Sequence, residues 1–559
     1  MISSFDFGQR RIIFFFCQIY IEFYSSFDYN NVAVNYNSLK RRIKMGIRRI
    51  GIWVFLIFLL GFLLATTQPP KRGGTLTIGI PGGIKSLSPW DSNYNIRNKI
   101  LSNIFEPLIQ SERRTTKIVP WLAVRWEVEK GNRVFTMKLR SGVKFHNGAL
   151  MTVDDVVASA KVFPFTIRRV EKVDSNTVRF VLNEPASNFP YSIAYVYFAI
   201  APSSSVNEYQ RLRRANNLSL FQPVGSGPFK LSRWSKGKEI VLSAFQDYWG
   251  GPPYLDRIIY RIIPDDKERV SALERGDIDL IDIVFPKDLE RLKKNPDLVM
   301  ESTYGLNVCY LVMNTKKKPF SDVRVRRAIN LAIDKSTLAR KFVYGGYGIP
   351  TNNLLSPAFF GFPSTPGVGR YDPQGAKKLL AEAGYPNGFS AKFLVIPVAR
   401  PYLPDPQGCA EEIKRELALV GIKVKIVIPK DYAELIRLAG ERGDFDLCLT
   451  GWVSETGDPD YLLSSLLGGP KLGGNPAGSI SGWRSSVFEE KLLLSRRLPL
   501  SDVMGRMKLY NEALRIAKEE VPIIPLFHTK VFVVYRKKVK GVIPHPTSII
   551  RFDRVWIAQ

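Results

Sequence analysis

Apolar positions recur along the chain with two periods, and the change from one to the other marks the elements. Thr75-Leu76-Thr77-Ile78-Gly79-Ile80 is apolar at every second position, the pattern of a half-buried strand. Residues 125–145 read as a hairpin. Phe135, Met137 and Leu139 alternate there with Val134, Thr136 and Lys138, and Glu129-Lys130-Gly131-Asn132 supplies the turn. Thr152, followed three residues on by Asp155, predicts a capping box ahead of Val156, Val157 and Ala160. A helical stripe appears at Val325, Ala328, Ile329, Ala332 and Ile333. Another helix is bounded by Asp372 as N-cap, Pro373 in its first turn and Gly384 at its end. A helix over 411–419 leads into a strand over 422–428. Strands alternating with helices predict α/β lobes.

One segment breaks both periods. Phe393-Leu394-Val395-Ile396 is a buried-strand pattern, and Pro397, Pro401, Pro404 and Pro406 follow it with Arg400 among them. Proline fixes its own φ and pushes its predecessor to extended geometry, so this stretch is expected to be a stiff loop holding an arginine at a strand end.

Composition adds limits. A chain of 559 residues exceeds one simple core and implies two or three lobes. The formal net charge is +29; residues 1–70 hold eight basic and three acidic side chains, which leaves +24 on the remainder. The basic residues are spread over the whole chain without a zinc-finger spacing or an aromatic-rich RNA-binding signature, so nucleic acid is not the expected partner. A basic surface facing anionic lipid headgroups is the milder explanation. Met45-Gly46-Ile47-Arg48-Arg49 before the apolar run Ile50 to Leu64 has the form of a secretory signal, or of an uncleaved N-terminal anchor. Residues 1–44 make little sense ahead of an export signal, so Met45 is the expected start and 1–44 a non-native extension; 45–70 would be signal or anchor plus linker. The cysteines at 17, 309, 409 and 448 show no metal spacing and no disulfide framework, and three histidines leave little for a metal site.

No phosphate-binding loop, G-x-S-x-G elbow or H-E-x-x-H pair is present, which disfavours an enzyme. Gly225-Ser226-Gly227-Pro228 is best explained as a turn before a strand, and Asp277 and Asp279 as helix-terminating turn residues.

Many segments, taken in order over about residues 73–545, resemble a known family. They include GGTLTIGIPGGIKSLSPW, VPWLAVRWEVEKGNRVFTMKLRSGVKFHNG, GSGPFKL, YWGGPPYLD, LERGDIDLID, MNTKKKPFSDVRVRRAINLAID, YDPQGAKKLLAEAGYPNGF, GDFDLCLTGWVSETGDPD and EEVPIIPLFH. This is the pattern of the family 5 extracellular solute-binding proteins of ABC importers, with motifs nearest the dipeptide-binding members. The resemblance implies a two-lobed α/β fold of the periplasmic-binding-protein type II (cluster C) class with an inserted third domain. By this reading lobe I comprises 71–115, 222–307 and 525–559, the inserted domain 116–221, and lobe II 308–524. The insert is trimmed, because only Phe163-Pro164-Phe165 joins its helix to the strand over 177–182. Two chain crossings are expected, near residues 304–314 and 522–527.

The same resemblance implies a non-enzymatic, exported, monomeric protein that needs no cofactor or metal and no nucleic acid. Its partners would be a short peptide and an ABC permease with its ATPase subunits. PVARPYLPD resembles the loop whose arginine grips a peptide's C-terminal carboxylate, which falls on Arg400, with Tyr402 in the same loop. A guanidinium fork on a proline-stiffened backbone suits that task. In Gly451-Trp452-Val453-Ser454-Glu455-Thr456-Gly457-Asp458-Pro459, peptide-binding relatives place an aspartate where Glu455 stands, pairing it with the ligand's α-ammonium. Asp458 is a substitute for that role, or else a turn or helix start. Trp452 is a cleft wall or core. Asn93-Tyr94-Asn95 lies where relatives meet the ligand backbone and reads equally as a surface loop. The rival readings are an oligosaccharide or a nickel or other metal chelate on the same fold, and a secreted hydrolase.

Overall fold

The strand Ile523–Arg536, 14 residues rich in β-branched and aromatic side chains, changes partner part-way along its length. Its first part pairs antiparallel with the strand Asn307–Met313, from Val312 opposite Ile523 to Cys309 opposite Phe527. Its second part pairs antiparallel with Leu298–Tyr304, from Tyr304 opposite Lys530 to Leu298 opposite Arg536. The switch is held by the Asn307 side chain, whose Nδ2 donates to the Thr529 carbonyl at 3.1 Å while its Oδ1 accepts from the Thr529 amide at 2.8 Å. This computed structural model describes residues 70–558 apart from 92–94, 164–166, 284–285, 344–346, 362–366, 470–471 and 473–478. The expected signal or anchor and the extension before it therefore lie outside the described residues. Among the described residues no helix is long and apolar enough to cross a membrane.

Through that one strand a 12-stranded sheet runs across both lobes. On one side Thr75–Ile80 lies parallel to Arg257–Ile262, which continues antiparallel into Glu239–Ala244 and Phe229–Ser235. On the other side Leu447–Val453 pairs with Asn307–Met313, and Ser390–Val395 lies parallel to both Leu447–Val453 and Lys423–Val427. Each side has its own apolar core. Leu76, Ile78, Phe105, Phe135, Tyr260 and Val555 are among the buried residues of one, and Leu311, Ile329, Phe393, Leu449, Leu463 and Ile524 among those of the other. A four-stranded antiparallel sheet of Ala123–Glu129, Val134–Leu139, Thr177–Leu182 and Ile167–Asp174 packs into the first core.

The periodicities translate into elements at the expected places. The hairpin turns at Lys130, Gly131 and Asn132, all with positive φ. Thr152 and Asp155 form the capping box of helix Val153–Ala160, and Asp372 caps Pro373–Glu382 with Pro373 in its first turn. One boundary differs. The helix expected over 411–419 is Pro406–Ala418, with Asp405 as N-cap accepting from the Gly408 amide at 2.8 Å. Pro406 belongs to the helix because proline at the first helical position loses a donor that has no intrahelical partner there.

The two lobes also touch through polar contacts away from the shared strand. Asn132, at the hairpin tip, donates from Nδ2 to the carbonyls of Arg496, Arg497 and Leu498 at 3.1, 2.9 and 2.9 Å, closing off the C-terminus of helix Ser486–Arg497. Ser187 donates from its amide to the Arg496 carbonyl at 3.0 Å and from Oγ to the Ser495 carbonyl at 3.1 Å. Asn188 donates to Asp460 at 2.5 Å. These bonds are exchangeable with water, unlike an apolar interface, so they favour closure without locking it. Asn132→Ala is expected to shift the open–closed balance toward the open form by about 1–2 kcal/mol, the net worth of the lost bonds. Small-angle scattering checks this: the variant should show the larger radius of gyration, and equal radii with and without the substitution would contradict it.

Candidate ligand-binding site

Parallel strands Ser390–Val395 and Leu447–Val453 end on the same edge of the second lobe's sheet, the edge at which α/β sheets bind ligands. Two of the sequence-predicted charged residues, Arg400 and Glu455, emerge there. After Ile396, whose amide donates to the Leu449 carbonyl at 3.1 Å, the chain makes a tight turn. The Arg400 amide and carbonyl bond with those of Leu403 at 3.0 and 2.9 Å. Pro401 sits inside this turn, its carbonyl accepting from Thr529 Oγ1 at 2.9 Å. Tyr402 and Leu403 are buried, so the loop is anchored on both flanks of its turn. The Tyr402 ring packs over Gly451, where any Cβ would overlap it. Arg400 is left half-exposed, with its guanidinium 5.2 Å from the centroid of the Tyr432 ring. Tyr402 thus serves the loop's packing.

Glu455 sits in an equally constrained turn. The Ser454 amide donates to the Leu306 carbonyl at 2.6 Å and its Oγ to the Thr456 carbonyl at 2.8 Å. Gly457 lies against Thr116 so closely that a Cβ there would overlap the threonine side chain, which brings the second lobe directly onto the first beside Glu455. Between them opens a cleft lined by Glu455 and Thr456 on one wall, by Tyr191 and Tyr195, and by Arg113 and Arg551 on another. Burial pushes the Glu455 carboxyl up to about 7, against the pull of a hydrogen bond from Tyr461. The Tyr195 and Tyr197 hydroxyls face the same carboxyl and are themselves held above their ordinary pKa by burial and by its charge. Asn98 donates to Tyr197 at 2.8 Å, fixing that hydroxyl.

The remaining predicted residues fare differently. Asp458 is not a ligand-facing charge. It caps helix Pro459–Leu467 through the Asp460 amide at 3.0 Å, pairs with Arg506 at 2.5 Å and accepts from the Tyr510 hydroxyl at 3.0 Å, so both its oxygens are committed internally. The turn-or-helix-start reading of Asp458-Pro459 is the one its geometry fits. Trp452 is half-buried against the second core, opposite Val308, and its Nε1 has no hydrogen-bond partner among the described residues. Asn93 and Tyr94 lie outside the described residues; Asn95 begins helix Asn95–Leu101. Arg400 and Glu455 share a sheet edge, but Arg400 is not part of the cleft wall that Glu455 lines. Tyr195, Tyr197, Tyr461, Arg113 and Arg551 were not singled out from the sequence. The alternation Tyr195-Val196-Tyr197 is the one local signal that two hydroxyls share a face.

A family model described as bacterial extracellular solute-binding proteins, family 5 middle, matches residues 117–474. The chain belongs to this family. The dipeptide-binding protein of Escherichia coli (strain K12) is 32% identical over 484 residues, covering 81% of this chain and 89% of that protein. Heme-binding protein A of Haemophilus influenzae is 33% identical over 497 residues, covering 83% and 88%. Among solved structures, the ABC transporter-associated periplasmic binding protein DppA from Helicobacter pylori, in complex with the peptide STSA, matches with a TM-score of 0.74. It is 29% identical and covers 88% of this chain and 99% of its own. The two-lobed α/β fold expected from the motifs is the fold of this family 5 solute-binding protein.

Two acids three residues apart give opposite predictions in this family 5 chain. Asp458→Ala strands Arg506 in the interior and is expected to lower the unfolding free energy by about 3–5 kcal/mol, read from urea denaturation; a loss within error of zero would contradict the internal role. Glu455→Gln keeps a hydrogen-bonding group for Tyr461 and removes the titration. A carboxyl raised from 4.5 to about 7 on folding has no penalty below pH 4.5 and loses stability as pH rises from 4.5 to 7. The variant should therefore match wild type at pH 4 and exceed it at pH 8 by up to about 3 kcal/mol. Parallel melting curves across that range would contradict the burial of Glu455.

Proposed function

We propose that this chain captures a short peptide outside the membrane and presents it to an ABC permease, without catalysing a reaction. The observation that carries the reading is Glu455, a carboxyl recessed among tyrosine hydroxyls in the cleft between the lobes. It stands at the position where peptide-binding relatives place the acid that meets an α-ammonium. An ammonium entering this site adds positive charge beside a carboxyl that burial holds up to about 7, so binding draws off the Glu455 proton near neutral pH. Arg400, on its pinned turn at the same sheet edge, is the proposed partner of the peptide carboxylate. Exclusion of water as the lobes close strengthens both charge pairs, and a blocked terminus leaves a desolvated group without its partner. Side-chain pockets can then be wet and permissive. The names of several relatives support the same class of ligand, while heme-binding protein A is named for another. The supporting names include a dipeptide-binding protein and a DppA solved with a bound peptide. Placement outside the membrane follows from the family, and the permease with its ATPase subunits is the expected partner on the same ground.

The test pairs each ligand terminus with its residue. Arg400→Ala is expected to weaken peptide binding by about 2–5 kcal/mol, the range for breaking a desolvated charge pair. That corresponds to roughly thirty-fold to several thousand-fold in affinity. Amidation of the peptide should weaken binding to wild type strongly and to Arg400→Ala far less, and N-acetylation should behave in the same way with Glu455→Gln. Calorimetry on a small peptide panel gives both cycles. Additive effects at either end would remove that residue from the terminus assigned to it.

A further inference from the structure

The cleft that holds Glu455 has a second charged wall whose chemistry is opposite. Arg551 lines it near the C-terminus of the chain, beside Arg113. The Arg551 guanidinium carbon lies 4.9 Å from the centroid of the Trp121 ring. That ring is itself fixed, since Trp121 Nε1 donates to Glu106 at 2.7 Å and Trp121 packs edge-on against Trp249, ring centroids 5.1 Å apart. The guanidinium therefore rests on a rigid aromatic platform. Its Nη1 is buried and has no hydrogen-bond acceptor among the described residues.

Two acids lie near Arg551, and neither hydrogen-bonds its Nη1; the Asp553 Oδ1 is itself buried without a partner among the described residues. Asp553 pairs with Arg113, and Arg554 approaches the same carboxylate at 3.8 Å. Glu106 is buried beneath the platform, where four neutral donors converge on it: Trp121, Ser226, Tyr248 and Trp249, at 2.7, 2.8, 2.8 and 3.0 Å. His545, also on this wall, bonds to Ser111, Thr547 and the Thr115 carbonyl; burial holds its pKa down to about 4, so it adds no charge at neutral pH. Burial and the charge of Arg113 lower the Arg551 pKa, against the charges of Asp553 and Glu106, which raise it. A buried guanidinium donor with no acceptor is costly unless something else in the cleft supplies one.

We infer that Arg551, seated on Trp121 beside Arg113, forms a carboxylate-recognising subsite of the cleft, distinct from Arg400, that selects ligands carrying an anionic group toward this wall. The inference rests on the peptide reading above. The shared chemistry is a carboxylate held by a guanidinium fork, and its source is either an acidic side chain of the peptide or the terminal carboxylate of a short one.

Calorimetry with Ala-Glu, Ala-Gln and their C-terminal amides, on wild type, Arg551→Gln, Arg551→Lys and Arg400→Ala, separates these sources. With a side-chain source, Ala-Glu binds wild type roughly tenfold or more tighter than Ala-Gln. Arg551→Gln erases that preference while Ala-Gln affinity stays nearly constant, and Arg551→Lys restores part of it. With a terminal source, amidation weakens binding to wild type, Arg551→Gln cancels that penalty and Arg400→Ala leaves it intact, which moves the terminal carboxylate from Arg400 to Arg551. Either pattern supports the subsite. Equal changes for all four peptides in Arg551→Gln, or no change in any, overturn it and leave the peptide reading standing. Failure of all four peptides to bind wild type overturns the peptide reading and this assignment together.

Discussion

Two apolar cores hang on one strand. Because Ile523–Arg536 exchanges Asn307–Met313 for Leu298–Tyr304 between Phe527 and Lys530, the sheet is continuous in hydrogen bonding while the cores on either side stay separate. Any relative motion of the lobes would fall on the few residues around Asn307 and Thr529, where small dihedral changes swing large bodies. Among the described residues, polar contacts also join the lobes: the Asn132 amide on the helix carbonyls, Ser187 on the same carbonyls, and Asn188 on Asp460. An apolar interface of the same extent would fuse the cleft shut.

The cleft makes use of what the cores forbid. Inside the second lobe, Asp458 and Asp460 are buried but matched, the one by Arg506 and Tyr510, the other by Arg496 at 2.8 Å. Glu455, three residues before Asp458, takes a hydrogen bond from Tyr461, and burial lifts its pKa to about 7. On the facing wall Arg551 rests on an indole with one donor unmatched. A buried carboxyl with a raised pKa on one wall of the recess and a guanidinium on the other set the electrostatics that a zwitterionic guest meets. The surrounding scaffold is rigid where this matters, since the Ser454–Thr456 turn, the Arg400–Leu403 turn and the Trp121 platform each fix their charged residue through buried neighbours.

Much of the fold was legible because it is locally encoded. Alternation placed the strand at Thr75–Ile80 and the hairpin at Asn132, and caps placed the helices at Thr152 and Asp372. The start of helix Pro406–Ala418 was misplaced because a proline-dense run reads as a loop until its last proline is recognised as a first-turn residue. Motif resemblance alone singles out Glu455 and Arg400, and Asp458 is set apart from them by Arg506, 48 residues away in sequence. Tyr195 reaches Glu455, and Arg551 reaches Trp121, across hundreds of residues; no local period carries such pairings. Asn132 carried a turn signal, but nothing near it announced the helix it closes.

A zwitterionic peptide as the natural guest is the central claim, and native mass spectrometry tests it directly. The protein, unfolded and refolded to remove any bound molecule, is offered an equimolar mixture of a free di- and tripeptide set, their N-acetylated and C-amidated forms, an oligosaccharide and a nickel–histidine chelate. Retention of the free peptides, with both blocked sets left behind, is the predicted result. Retention of the oligosaccharide, of the chelate or of doubly blocked peptides in preference to free ones would contradict it.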